Sequence, residues 1–369
     1  MATRSTFKGN RDLLENMGRV AASFKAWRPA MEVLVDVKAV PTILPQYDVA
    51  TRVMGHPLAR FCRLRGPSNE GKTTLAIGLM TSFLRKGHFA AFADAEHTTP
   101  PDWLRDLMGE DAKHPGFRAL PVESYEQTVD AVREFCEGVA AARAAGDLPA
   151  ETSGIICIDS IRKLVPKNMM KELAKHGTRD KGVDGFGGRG GQIKAALNAA
   201  WVDELVPLLA NTGMAMVIIA RETDDPDAGF YDEGIKVGGG QALYYDSSLD
   251  IRVTRTFITA EADRKRVLGE RHRVEIRKTK IGRKETKHPT AYFHTSNGAD
   301  GVPAGFDRAR DVLELAQGED VVELAGSSYR YGGEVLGRGE AAALKSLRAN
   351  APLMEEIELK ARHHAAAKW

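Results

Sequence analysis

Three cysteines in 369 residues, Cys62, Cys136 and Cys157, are too few and too widely spread for a disulfide framework or a zinc cluster. Long apolar runs are scarce as well. The longest, around Met214 to Ala220, falls far short of the roughly 18 residues that a membrane span needs, and the first residues show no signal-peptide core. Neither sign of charge dominates: 52 Lys and Arg stand against 50 Asp and Glu, which excludes a uniformly basic coat for nucleic acid. At 43% apolar, the composition is too hydrophobic for a largely disordered chain. These absences predict a soluble protein of a reducing, cytosolic compartment, with one large core and a smaller satellite.

What is present is unevenly distributed. Between Phe61 and Arg255 apolar strands alternate with helical patterns. Phe61 to Arg65 is followed by a helix from Thr73, then Phe89 to Asp94, a helix from Ser124, Gly154 to Asp159, a helix after Gly191, and Met214 to Ala220. That alternation predicts an α/β fold, a central, mostly parallel, twisted sheet covered by helices on both faces. Ser124 and Gln127 form a capping-box start, and Tyr125, Val129, Val132, Cys136 and Val139 make one apolar stripe behind it. Leu13, Leu14, Met17, Val20 and Phe24 predict an amphipathic helix over Asn10 to Trp27, and Pro41 to Tyr47 reads as a linker. From Arg252 to Lys287 there are 13 Lys or Arg and only 5 acidic residues, which on charge alone reads equally as a solvated β-hairpin face. Thr290 to His294 is a candidate last strand, and the chain from Gly298 onward turns helical and alanine-rich.

The sharpest signal is GPSNEGKTT, comprising Gly66, Pro67, Ser68, Asn69, Glu70, Gly71, Lys72, Thr73 and Thr74. It fits the phosphate-loop pattern and sits between a strand and a helix, as that chemistry requires. Glycines let backbone N–H groups turn inward on phosphates, and the start of the following helix adds positive potential. Lys72 is placed to reach the β- and γ-phosphates, and the Thr73 hydroxyl to bind Mg²⁺. GIICIDS closes a buried strand on Asp159, which suits a second magnesium contact; an ordinary cap is the alternative for that residue taken alone. FADAEH closes another strand with Asp94 and Glu96, of which Glu96 lies further out and is the better candidate to activate a water. Without the neighbouring motifs these two would read as surface acids in a turn before Pro100 and Pro101. Two glycine-rich stretches, Gly177 to Gly191 and Gly229 to Gly240, are longer than ordinary connections.

Taken in order, GPSNEGKTT, FADAEH, IICIDS, the first glycine-rich stretch, VIIARE, the second stretch ending GGGQALYY, LDIR and RKTKIG resemble the RecA family of homologous-recombination ATPases. The likeness continues into AGSSYRYGGEVLGRGEAAALKSLRAN, similar to the family's small C-terminal α/β domain, and spans about Leu44 to Glu358. The resemblance implies three parts: an oligomerisation segment over residues 1–44 containing the N-terminal helix, an ATPase core over 45–296, and a small domain over 297–369. It also implies ATP and Mg²⁺ as cofactors, the phosphate loop and Asp159 as their holders, Glu96 as the catalytic base, and Trp103 stacked on adenine. A Trp103 packed under its loop is the alternative. The glycine-rich stretches match the family's DNA-binding loops, about Lys167 to Gly190 and Glu222 to Gly239. Lys181, Arg189 and Lys236 would supply charge there, Phe186, Phe230 and Ile235 would wedge between bases, and Gly238 and Gly239 would let the backbone approach phosphates. Plain surface loops remain the other reading.

Lys278 and Lys280 match a pair that reaches a neighbouring subunit's γ-phosphate, so the implied partners are single- and double-stranded DNA and further copies of the chain in a helical filament. Two departures stand out. The family's Asn-Gln pair after the strand is Ala220 and Arg221 here, so that Arg221 either senses the γ-phosphate with a full charge or marks a weakened relay. The C-terminal stretch His363 to Trp369 lacks the acidic tail that bacterial members often carry. A ring-forming helicase or accessory motor on the same fold, and a non-hydrolysing DNA scaffold, are the competing functions.

Overall fold

The computed structural model describes residues 17, 19–20, 37–176, 188–225, 234–259, 266–283, 289–294 and 304–369. The chain divides into two compact units, Met1–Val37 and Lys38–Trp369. In the first, Met17, Arg19 and Val20 are helical, and the rest of the expected helix Asn10 to Trp27 lies outside the described residues.

The second unit begins with β1 (Ala39–Val40), α1 (Pro45–Ala50), β2 (His56–Pro57), β3 (Arg60–Gly66), α2 (Lys72–Arg85), β4 (Phe89–Asp94) and α3 (Pro101–Met108). It continues through β5 (Phe117–Ala119), α4 (Tyr125–Ala145), β6 (Gly154–Asp159), α5 (Lys167–His176), α6 (Gly188–Thr212), β7 (Ala215–Asp224) and β8 (Ile235–Val237). Then come α7 (Gln241–Asp246), β9 (Leu249–Thr259), β10 (Val267–Thr279), β11 (Thr290–His294) and β12 (Gly305–Phe306). Among the described residues the central sheet has the order β12-β11-β10-β9-β3-β7-β6-β4-β5, with β8 paired to β7. From β9 to β5 every pairing is parallel, whereas β9 to β12 form an antiparallel ribbon.

Period-two alternation decides which side chain faces which helix layer. On β6, Ile155 and Cys157 enter the core under α2, while Ile156 and Ile158 enter the core under α4 and α6. On β7, Val217 and Ile219 take the first side and Met216 and Ile218 the second. Both faces being covered, these strands read as continuous apolar runs in the sequence. Helix α4 starts as expected, with the Ser124 hydroxyl accepting from the Gln127 N–H at 3.2 Å, and stops at Gly146, whose φ of 83° closes its last turn.

A third core belongs to the C-terminal part: α8 (Arg308–Gly318), the antiparallel β13 (Glu323–Ala325), β14 (Ser328–Tyr331) and β15 (Glu334–Arg338), then α9 (Glu340–Ala349) and α10 (Ala351–Ala367). The alanine-rich pattern shows only the helices. The three short strands pack one face and expose Leu324 and Val335, so they carry little periodic signal. The segment Pro41 to Tyr47 is no simple linker either. Leu44 and Tyr47 are buried, and Asp48 takes hydrogen bonds from the Thr42 N–H and hydroxyl, both at 2.7 Å, which organises α1 behind Pro45. In α10, Arg362 reaches the same carboxylate at 2.8 Å and fastens the C-terminal helices to α1.

Charge is also built into the sheet itself. Asp250 on β9 is fully buried and receives Arg63 Nε at 2.5 Å and Arg65 Nε at 2.9 Å, both from β3. Arg65 continues to Glu222 on β7, which also receives Arg252 at 3.0 Å. Removing one member of such a network strands its partners without water. Asp250→Ala is therefore expected to lower the unfolding free energy by about 3–5 kcal/mol in urea denaturation; a loss below about 1 kcal/mol would mean that the two guanidinium groups find other partners.

Candidate active site

The site grows out of the end of β3. At Gly66 the strand runs against β9 so closely that a Cβ would lie 2.4 Å from the Val253 carbonyl oxygen. The loop then turns left-handed at Asn69 and at Gly71, where φ is 84°. A Cβ on Gly71 would stand 2.5 Å from Cε1 of the buried His272, so backbone and packing both demand glycine there. Helix α2 starts at the next residue with no side chain capping it, which leaves its first N–H groups for a ligand.

Strand order brings four carboxyl ends together. β3 sits between β7 and β9, while β4 lies beyond β6, so the chain crosses over between β3 and β4 and a crevice opens where the order reverses. A cleft of about 540 Å³ occupies that edge, lined by Ser68 through Thr74, Glu96, Trp103, Asp159 and Arg221 among others. Gly66 and Pro67 support the loop without lining it, and Lys72 Nζ donates to the Pro67 carbonyl. The Thr73 hydroxyl donates to Asp159 Oδ2, and the Ser160 hydroxyl donates to Glu96 Oε1 at 2.8 Å. Asp94 instead accepts from the Thr99 N–H at 3.0 Å and shapes the turn into α3. Trp103, on α3, does two things at once: it packs against the core under α2 and lines the cleft.

Electrostatics follow from burial. Burial pushes the Asp159 carboxyl up to about 6 against the Thr73 hydrogen bond, and the nearby Glu96 and Asp94 add to the rise. Burial likewise lowers Lys72, with Asp159 and Glu96 pulling the other way. A hydroxyl and a carboxylate in contact on one wall are the hard oxygen donors that Mg²⁺ takes. Left-handed loop, free helix start and buried ammonium fit a polyphosphate, so Thr73 and Asp159 suit the cation and the loop suits the phosphates.

Arg221 follows the buried run Ala215 to Ala220 of β7 and lines the cleft, and its carbonyl accepts from the Gly238 N–H at 3.0 Å. One residue thus touches both the cleft and the second glycine-rich stretch. That stretch has an ordered stem: β7 runs on to Asp224 and pairs with β8, so Ile235 and Lys236 are strand residues, with Lys236 held by Asp225 at 2.6 Å. Gly239 is next to α6, its carbonyl accepting from Asn198 at 2.9 Å. The first stretch is helical at both ends, in α5 and from Gly188 in α6, where the sequence reading has a loop as far as Gly191. Arg189 lies in that first turn of α6; Lys181, Phe186 and Phe230 lie outside the described residues.

Lys278 and Lys280 are not brought to this cleft. Lys278 is level with Asp250, near the start of β9, and donates to the carbonyls of Tyr244 and, at 2.7 Å, Tyr245 at the end of α7. Lys280 is exposed beyond it. The cleft does gain Ser160, Arg255, Glu270 and Phe293, which the sequence reading did not single out. Ser160 directly follows Asp159 in the quoted motif; for Arg255, alternation from the core residue Val253 was the available signal.

Comparison with known proteins agrees with this geometry. The chain matches the RecA N-terminal domain over residues 29–293 and the RecA C-terminal domain over residues 310–366. It is 26% identical over 328 residues to Protein RecA of Clostridium tetani, covering 88% of this chain and 82% of that protein. To Protein RecA of Salinispora arenicola it is 28% identical over 327 residues, 89% of this chain and 83% of the relative. For Salinispora tropica the figures are 28% over 333 residues, 90% and 84%. With most of the sheet, the cleft and the C-terminal strands and helices inside those two matches, the chain belongs to the RecA family.

Proposed function

We propose that this protein is an ATP-dependent recombinase, acting in the bacterial cytosol or nucleoid. It assembles head to tail into a helical filament on single-stranded DNA, pairs that strand with a homologous duplex, and hydrolyses ATP to let go. The observation that carries the reading is the convergence of Lys72, Thr73, Glu96 and Asp159 on one open cleft at the carboxyl edge of the sheet. A non-hydrolysing scaffold has no use for a carboxylate held by Ser160 beside a phosphate loop.

Each group has a task that its surroundings support. The loop amides and Lys72 hold the β- and γ-phosphates. Thr73 and Asp159 hold Mg²⁺, which when bound screens the phosphate charge. Glu96, fixed by the Ser160 hydroxyl, orients a water in line with the γ-phosphate and takes its proton. Trp103 offers an aromatic face to the base.

Assembly enters through Lys278 and Lys280. Both stand away from their own cleft, so a cation from this pair is suited to a neighbouring copy's nucleotide, as an arginine finger supplied in trans. A head-to-tail contact of this kind does not close on itself and generates a helix. DNA contacts fall to the two glycine-rich stretches, including Lys181, Phe186, Arg189, Phe230, Ile235, Lys236, Gly238 and Gly239. Arg221 links the second of them to the γ-phosphate end of the cleft.

Three measurements test this reading. ATP turnover should rise several-fold with single-stranded DNA and fall as salt is raised, because phosphate contacts release counterions; a flat response, or equal turnover in dilute and polymerised protein, would favour a different motor. Lys280→Ala should retain ATP binding by the monomer and lose DNA-stimulated turnover by at least ~10³-fold; unchanged turnover removes the cation in trans. Arg221→Ala should narrow the gap in DNA affinity measured with and without a non-hydrolysable ATP analogue, and an unaltered gap denies Arg221 a switching role.

A further inference from the structure

One face of the β9–β10–β11 ribbon runs outward from the core past the phosphate loop. Register sets three successive rows across it: Val253 with Val274, then Arg255 with His272 and Ala291, then Phe257 with Glu270 and Phe293. The second row meets the loop. His272 is buried against Gly71, and the Arg255 main-chain N–H donates to Glu70 Oε2 at 2.5 Å. The third row lies two residues further along each strand, roughly 7 Å away, and sets Glu270 between the rings of Phe257 and Phe293. Arg255, Glu270 and Phe293 all line the cleft.

Glu270 is built as an oriented acceptor. Arg255 Nη1 donates to Oε1 at 2.6 Å and His272 Nε2 donates to Oε2 at 2.8 Å, since a carboxylate can only accept. Burial opposes the charge, but the His272 hydrogen bond and the Arg255 guanidinium outweigh it and hold this carboxyl below its ordinary range. Two donors leave lone pairs on both oxygens, and the side chain is 14% exposed, toward a ligand-sized space. Phosphate oxygens offer such an anion nothing. The nucleoside does: a triphosphate whose terminal phosphates sit in the loop at the second row would carry its sugar hydroxyls toward the third row, where Glu270 and Phe293 line the cleft.

We infer that Glu270, oriented by Arg255 and His272, accepts a hydrogen bond from the ribose 2′-hydroxyl of the bound nucleoside triphosphate and makes the site select ribonucleotides over 2′-deoxyribonucleotides. This rests on the nucleotide reading of the cleft. Glu270 is the specificity-determining group; Arg255 and His272 position it.

The test is equilibrium binding of ATP, dATP and inorganic tripolyphosphate to the full chain with Mg²⁺. The wild-type protein should bind ATP about tenfold more tightly than dATP, the scale of a hydrogen bond to a charged group. Glu270→Ala should bring the two within about twofold, with Glu270→Gln between, while neither variant loses affinity for tripolyphosphate, since removing the carboxylate leaves the Arg255 guanidinium in the cleft. A wild-type ratio near one, or a ratio that Glu270→Ala leaves in place, overturns the inference. So does parallel loss of tripolyphosphate binding in both variants, which would make the ribbon a mere prop for the loop. Wild-type protein that binds neither nucleotide would bring down the proposed function and this inference together.

Discussion

Asp250 holds the design in register. A fully buried carboxylate that takes one guanidinium on each oxygen leaves β3 little freedom to slide against β9, because a one-residue slip would turn Arg63 and Arg65 to the opposite face and leave three charges without partners. The same register puts Gly66 against the Val253 carbonyl and Gly71 against His272. The phosphate loop therefore takes its shape from a strand nearly two hundred residues away in sequence as much as from its own glycines. A buried ionic network is weak support for stability taken alone, but it specifies which alignment is the native one.

From that fixed edge two strands lead away in different directions. Strand β7 passes from the core, through Arg221 at the cleft, into the stem with β8, so any displacement of Arg221 by a phosphate acts on the backbone that holds Gly238. Strand β10 passes from Glu270 at the cleft to Lys278 at its far end, on α7. On the proposed function the first route would join nucleotide to DNA, and the second would join one subunit's nucleotide wall to the cation offered to its neighbour. The first route is a strand paired first with β3 and then with β8, while the second shifts register against β9 between Ile276 and Lys278, just before the cation.

The phosphate loop and the ends of β4 and β6 are legible in the sequence because strand, loop and helix start are contiguous there. The C-terminal strands are not, since a half-exposed three-stranded sheet between helices has too short a pattern to oppose an alanine-rich run. The basic stretch is legible as an antiparallel pair of strands, β9 and β10, but the fate of its charge is not. Its excess of Lys and Arg is partly taken up by internal pairs: Arg252 with Glu222, Arg255 with Glu270, and Arg273 with Glu275 at 3.2 Å. Local charge counts cannot see a carboxylate that arrives from another strand. The same blindness hides the cleft's second wall, because Glu70 and Arg255 are 185 positions apart.

Those pairings also answer how a cleft with four carboxylates admits a polyanion. The acids are sorted into two sets by their donors. Asp159 and Glu96 take hydroxyls, from Thr73 and Ser160, hydrogen bonds that bring no positive charge to either carboxyl group. Glu70 is turned onto a backbone N–H, and Glu270 is compensated by Arg255 and His272, so neither presents an uncompensated charge to the phosphates. Substituting Arg255 by a neutral residue would free Glu270 and merge the two sets, raising the electrostatic barrier to every nucleoside polyphosphate at once. The Arg255 main chain would still hold Glu70. A carboxylate at the fifth position of the phosphate loop is thus compatible with phosphate binding only because β9 meets it with a backbone donor, and the guanidinium on the same residue neutralises the next acid along the wall.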